Sequence, residues 1–411
     1  MRPIRLTLPG QFWDSFVYKG RLYLFQRDGV ILTLDWDRLI RTWPLGEGLT
    51  LPLTCAFARS DYLYGDRWSL FFSDPEVKQV VIGRFESLAG RDLVLAPTLS
   101  ASSMIGQQDN PFPFPHADLT IYDSQVFIAS TSGVFRGSCA RGTQLPISKR
   151  PKKASDISAV SVAASYGSLA LAAGDDGLFE LPVSRQQSTQ VMDADRLHSS
   201  NATGCSWLYQ SIFASSHHGG GFLAAFSRSQ KTDSPDDYEE IELADPPRRG
   251  RTQFVRHFDR VISENEIFSA AGYSWGNHDK IYLASDHRVS VVKYQPWEPD
   301  PLVSLGHVPL ADWKGAIVSG GVAVFGTVIE CENAIVMLMS DGSRLTIPGE
   351  PIAWRIFPRS RHYENQLHII YEDRLEINSF NHDYFVNQED KLAGTKYAKR
   401  ENGTFRAKRR W

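Results

Sequence analysis

The segment GSLALAAGDDGLFELP, residues 167–182, reads as an apolar strand, a tight turn at Asp176-Gly177 and a second apolar strand. A two-residue hairpin needs φ > 0 in its turn, which Gly and Asn tolerate best and Asp better than most. The flanking runs are near-continuously apolar, as in strands buried on both faces. Five other segments share this shape: GRLYLFQRDGVILTLD (20–35), SQVFIASTSGVFRGS (124–138), DKIYLASDHRVSVVKY (279–294), NAIVMLMSDGSRLTIP (333–348) and NQLHIIYEDRLEINSF (365–380). Two more fit less neatly. RWSLFFSDPEVKQVVIGRF (67–85) would turn at Asp74-Pro75, and residues 220–243 would turn through a long polar loop near Ser234.

Most hairpins follow another candidate strand, such as FWDSFVY (12–18), ISAVSVAAS (157–165) or IFSAAGYSW (267–275). Eight hairpins between residues 20 and 380 give a repeat of roughly 50 residues, the spacing of a four-stranded propeller blade. VFIASTSGVFRG and LALAAGDDGLFEL resemble the two middle strands of generic β-propeller blades. The resemblance implies an all-β fold, a single ring of seven or eight four-stranded blades over residues 1–390. Gly-His and Trp-Asp pairs do not recur at blade spacing, and Gly219-Gly220-Gly221 and Gly320-Gly321 are not periodic, so neither a WD-repeat nor a kelch signature is present. A pair of β-sandwiches is the competing architecture.

The hairpin count favours eight blades, but residues 349–364 are too short for both an outer and a new inner strand. With a turn at Cys331-Glu332-Asn333, SRLTIP (343–348) becomes an outer strand and PIAWRIF (351–357) opens the last blade. Ile4-Arg5-Leu6-Thr7-Leu8 would then complete that blade from the other end of the chain, closing the ring and removing an exposed edge.

The chain has 411 residues with 44 basic and 47 acidic side chains, a net charge of −3. Residues 391–411 hold eight of the basic groups and one acid (+7), leaving 36 and 46 (−10) in residues 1–390. The reading is an acidic body and a separable basic tail. Hydrophobic residues at 42% suffice for a large core. Cys55, Cys139, Cys205 and Cys331 are widely spaced without a C-x-x-C pair, as for buried thiols in a reducing compartment. The first residues lack the apolar core of a signal peptide, and no window has ~18 uninterrupted apolar residues. A cytoplasmic protein without membrane contact is expected.

Polar insertions are expected near 99–116, 141–156, 184–204 and 228–260. The first contains Pro111-Phe112-Pro113-Phe114-Pro115-His116, an extended arm that caps or packs on the ring. In the tail, Lys399, Arg400, Arg406, Lys408, Arg409, Arg410 and Trp411 are the candidate partner-binding residues. Basic side chains with interleaved aromatics suit an acidic protein surface, and they also suit a nucleic acid.

No nucleophile elbow, P-loop, His-Glu-x-x-His or dinucleotide fingerprint occurs. His217-His218 would point to opposite faces of a strand. The triplets Asn277-His278-Asp279 and Asn381-His382-Asp383 have turn composition, and Glu330 and Glu332 alone specify nothing. No catalytic residue, metal ligand or cofactor is assigned. The tryptophans are expected mainly as wedges between blades. The functional expectation is a non-catalytic scaffold, sensor or inhibitor subunit that binds another protein. A hydrolase or lyase with an axial site and tail-mediated nucleic-acid binding are the alternatives.

Overall fold

The computed structural model describes residues 2–64, 71, 74–139, 147–183, 191–216, 219–230, 254–263, 268, 272–285, 288–309, 316–340, 342–360 and 362–381. They form seven antiparallel sheets in a closed ring, each with strands a to d from the axis outward. Blade 1 comprises Phe12–Tyr18, Arg21–Gln26, Val30–Asp35 and Met104–Asp109. Blade 2 comprises Asp118–Tyr122, Gln125–Ser130, Gly133–Ser138 and Lys152–Ser155. Blade 3 comprises Ser161–Ser165, Ser168–Ala172, Leu178–Pro182 and Asp195–His198. Blade 4 comprises Gly204–Leu208, Ser211–Ser215, Gly221–Gln230 and Phe254–Ile262. Blade 5 comprises Tyr273–Asn277, Lys280–Ser285, Arg288–Tyr294 and Leu302–Pro309. Blade 6 comprises Ile317–Ala323, Gly326–Cys331, Ala334–Met339 and Arg344–Pro348.

Blade 7 takes Ala353–Ile356, Gln366–Ile370 and Arg374–Ser379 from the C-terminal side and Ile4–Pro9 from the N-terminal side. The closing register runs antiparallel from Ile4 opposite Ser379 to Pro9 opposite Arg374. Ile4, Leu6 and Leu8 are buried while Arg5 faces out, the alternation of a strand with one covered face. Leu93–Val94 adds a fifth, parallel strand outside it, with Leu6 opposite Leu93. The turn at 331–334 and the closure by the first strand are as expected from the sequence.

The count is seven, not eight, because Pro75–Ala89, expected to hold the second strand of the 67–85 hairpin, is a helix. Asp74 caps a helix, Pro75–Ala89, with its carboxylate accepting the N–H groups of Glu76 and Val77. Asp followed by Pro at the first helical position is a helix start, where the sequence pattern predicts a turn. This helix belongs to an insertion between strands c and d of blade 1 that also holds Trp36–Arg41, Thr50–Leu53 and a π-helical turn, Thr54–Ala58. The partner strand of Gly221–Gln230 is Phe254–Ile262 rather than a strand ending at 243. Each of the four stretches read as insertions contains or overlaps a d strand: Met104–Asp109, Lys152–Ser155, Asp195–His198 and Phe254–Ile262.

The cores lie between blades. Phe127 of blade 2 packs with Leu169 of blade 3, Ala172 of blade 3 with Phe222 of blade 4, and Val328 of blade 6 with Leu367 of blade 7, within shared clusters. Four a-strand tryptophans each send the indole N–H into a neighbouring blade. Trp13 donates to His116 O (3.1 Å), Trp207 to Ala163 O (3.0 Å), Trp275 to Thr327 Oγ1 (2.7 Å) and Trp354 to Glu330 Oε2 (2.9 Å). Blade 6 receives two of them, and the Gly320-Gly321 doublet makes the room. A Cβ on Gly320 would lie 2.3 Å from Trp275, and one on Gly321 2.8 Å from Trp354. The four cysteines are free; three are buried and Cys205 is half-buried.

Closure makes a contrast on one strand measurable. Leu6→Ala removes a fully buried side chain from the closing strand and should cost about 2–5 kcal/mol. Arg5→Ala, exposed and 3.9 Å from Glu376, should stay within about 1 kcal/mol of wild type. Urea unfolding of the two variants checks both values.

Candidate functional site

The a strands line the axis, and their chemistry differs between the two ends. At the entry end, Asp14 and Asp118 occupy equivalent positions, each five residues before the first residue of its a–b turn, Lys19 or Asp123. Each Oδ1 accepts the N–H of the next residue at 2.7 Å (Ser15, Leu119). The repeated geometry brings two carboxylates of neighbouring blades to one place, and Arg355 of blade 7 joins them. Its Nε and Nη2 donate to Asp14 Oδ1 and Oδ2 (3.2 and 2.7 Å), Nη2 also to Asp118 Oδ1 (3.1 Å), and Nη1 to Leu119 O (2.8 Å). Asp118 Oδ2 accepts from Ser161 Oγ and Val162 N of blade 3 (3.1 and 2.9 Å). One ionic cluster thus ties blades 7, 1, 2 and 3.

His116 is buried beside it, among Trp13, Phe25 and Phe114, with Nε2 3.5 Å from Asp14 Oδ2. Burial would raise the Asp14 carboxyl, but the Arg355 guanidinium and His116 hold it down at about 2. The sequence arm 110–116 therefore packs into the seam of blades 1 and 2 through Phe112, Phe114 and His116. Behind Asp14, Ser15 Oγ lies 2.9 Å from His368 Nδ1 in the seam between blades 7 and 1. A serine against a histidine is the geometry of an activated nucleophile. Here both side chains are fully buried, and burial together with the Arg355 charge pushes His368 down to about 3. A base that weak, closed off from solvent, does not activate a hydroxyl.

At the exit end the a–b turns adopt left-handed backbone at Lys19, Gly20, Asp123, Ser124, Tyr166, Gly167, Tyr209 and His278. These are the primed hairpin turns that match strand twist. Successive turns are tied together. Gly20 N–H donates to Tyr363 Oη (2.8 Å), Ser124 N–H to Tyr18 Oη (3.0 Å), Gly167 N–H to Tyr122 Oη (3.1 Å) and Tyr209 N–H to His278 O (2.9 Å). The a–b connection of blade 7, residues 357–365, is longer than the others and crosses this mouth. From it Arg359 reaches the far side of the ring, donating to Ser165 Oγ of blade 3 (2.9 Å) and Trp207 O of blade 4 (2.7 Å), with its guanidinium 5.7 Å from the Tyr166 ring.

Arg359 has no carboxylate partner among the described residues. It keeps solvent access in crowded surroundings, as at a concave mouth, and that burial lowers its pKa. Around it lie Tyr209, its ring tilted against His278 (5.9 Å) and edge-on to Trp297 (5.2 Å), and the exposed rings of Tyr166 and Trp297. Burial and the Arg359 charge lower the His278 pKa, against the opposing pull of Asp279.

The sequence candidates fare unevenly. Lys399, Arg400, Arg406, Lys408, Arg409, Arg410 and Trp411 lie outside the described residues, as do His217 and His218. Asn277-His278-Asp279 is at a turn, as composition indicated, and also borders the Arg359 mouth. Glu330 is taken up by Trp354 and Ser319. Arg355, Asp14, Asp118 and Arg359 were missed. The one signal for the carboxylates was their equal distance from the hairpin turn. Among the described residues no three His, Cys, Asp or Glu side chains gather as a metal ion would need, and no helix is long and apolar enough to cross a membrane.

No family model matches the chain, and no curated protein matches it. Among solved structures it is similar to the Pan2 WD40 domain of Neurospora crassa, at TM-score 0.45 and 9% identity over 90% of this chain and 89% of that one. It is also similar to the computationally designed Ika8 protein (TM-score 0.41, 10% identity, 92% and 100% coverage) and to the WD40 propeller domain of Doa1 (0.33, 12%, 64% and 92%).

The entry cluster yields a stability test. Arg355→Met leaves two carboxylates facing each other without their cation and should cost about 3–5 kcal/mol at neutral pH. The acid response has two parts. The depressed His368 value favours the fold fully above the free value of 6.5, and that contribution is lost as pH falls toward 3. Asp14 contributes above its free value of 3.8, and that part is lost as pH falls toward 2. Melting temperatures measured across this range should fall in wild type from pH 6.5 downward, with His368→Gln flattening the upper part only.

Proposed function

We propose that the chain is a non-catalytic interaction subunit, a scaffold, sensor or inhibitor within a larger protein complex, and that its basic tail contacts the partner. What supports the reading is the use of ionisable groups at the axis. Asp14, Asp118 and Arg355 consume one another's hydrogen-bonding capacity and staple four blades together, so their chemistry is spent on the ring. The loops and turns of the faces are left for recognition, as on other rigid scaffolds. Residues 391–411 add a charge of +7 to a body of −10, which suits them to an acidic surface on another chain.

A tail truncated after Asp390 tests this. Removing Lys399, Arg400, Arg406, Lys408, Arg409, Arg410 and Trp411 should weaken capture of the native partner by roughly tenfold or more at low salt, with a smaller difference at high salt. Treating the sample with nuclease separates the second reading. Unchanged capture supports a protein partner, whereas loss of the tail-dependent binding transfers the role to a nucleic acid.

A further inference from the structure

Two cationic sites border the axis, and they differ in one respect. Arg355 is met by two carboxylates and a carbonyl. Arg359 is met by a hydroxyl and a carbonyl, which accept hydrogen bonds from its N–H groups without neutralising its charge. An exposed guanidinium held by two neutral acceptors, with no counter-charge among the described residues, favours an anion. Its position is also fixed. The hydrogen bonds to blades 3 and 4 hold the side chain across the mouth, so little rotamer freedom is lost when a ligand arrives.

The surroundings narrow the ligand class. Tyr166 and Trp297 present exposed rings, 47% and 46% accessible, on the same rim. Tyr209 joins them through Trp297 on one side and His278 on the other. Rigid aromatic rings around a single arginine are the composition of an interface hot spot. The rings supply apolar contact for neighbouring side chains, which a free inorganic anion does not use. On this rim Lys19 donates to Ser124 Oγ, and Arg359, which has no carboxylate partner among the described residues, selects the ligand's sign.

We propose that the mouth at the a–b turns is a docking site for an acidic peptide segment of a partner protein, in which a carboxylate pairs with Arg359 and adjacent apolar side chains lie on Tyr166 and Trp297. The inference rests on the interaction reading above and names the partner's chemistry at one face. The +7 tail selects the same sign of charge, so both features fit one acidic partner.

The test uses the full-length protein and a fluorescein-labelled peptide of repeated Glu-Leu-Asp-Phe, with a Gln-Leu-Asn-Phe repeat as the neutral control. Anisotropy should show binding of the acidic peptide and weaker binding of the control. Arg359→Gln should weaken the acidic peptide by roughly tenfold or more, while Arg359→Lys, which keeps the charge, loses less. Tyr166→Asn, a residue that tolerates the left-handed backbone there, should weaken binding with Arg359 intact. Melting temperatures identify any variant that fails through folding, and the tail-truncated chain separates tail binding from mouth binding. Equal affinity of wild type and Arg359→Gln, equal affinity for the neutral peptide, or no binding by wild type would overturn the proposal. So would displacement by inorganic phosphate or a single-stranded RNA oligonucleotide at concentrations that leave the Arg359→Gln protein unaffected. Capture of the native partner equally by wild type and Arg359→Gln would remove this site and leave the interaction reading standing. Failure to capture any partner would remove the reading itself.

Discussion

A four-stranded blade of this size has two apolar faces, and each blade is stable only when they are buried against its neighbours. The consequences run through the whole molecule. The buried clusters are shared between blades rather than centred in them. Tryptophans on the innermost strands reach sideways, and the blade pressed from both sides, blade 6, carries glycines where the indoles arrive. The ring must also be closed, because one missing seam would expose two apolar faces at once.

Closure places polar side chains under the same demand. The carbonyls at the end of the π-helical turn, Cys55, Ala56 and Phe57, have no helical acceptor role left to fill. Asn381, Asn365, Gln366 and Trp36 donate to them at 2.7–2.9 Å, and Ser379 adds a hydroxyl. The insertion of blade 1 is thereby fixed to the back of blade 7 by side chains from the last blade. The Arg355 cluster does the same work at the axis. The Arg359 loop spans the other mouth and keeps an unneutralised charge where the chain meets solvent.

The sequence disclosed the parts of the fold that are buried on both sides. Strands b and c of most blades are nearly continuous apolar runs around a short turn, and five of these pairs were legible, with the c–d pair of blade 6 as a sixth hairpin. Apart from those of blades 6 and 7, the d strands were not legible, since each has one neighbour and one open edge. KKAS and DRLH read as loop because solvent covers much of their surface. The helix at Pro75–Ala89 was hidden by Asp74-Pro75, a pair that serves a turn and a helix start equally well. The site was less legible still. Arg355 and Asp14 are 341 residues apart and meet only because the ring closes. Arg359 lies in a connection whose unusual length acquires meaning only when the other a–b turns are known to be two residues long.

The closing strand also sets an order of events during synthesis. Residues 4–9 are made before every other strand of the ring and their antiparallel partner, 374–379, after every other. No blade-to-blade seam can complete the circle until then, so the non-local contact that secures the ring is among the latest to form. In the interval an apolar strand with two open edges invites pairing with other chains. Leu93–Val94 is made early and pairs with one of those edges. Its two residues, the shortest strand among the described residues, leave a single edge free for Arg374–Ser379.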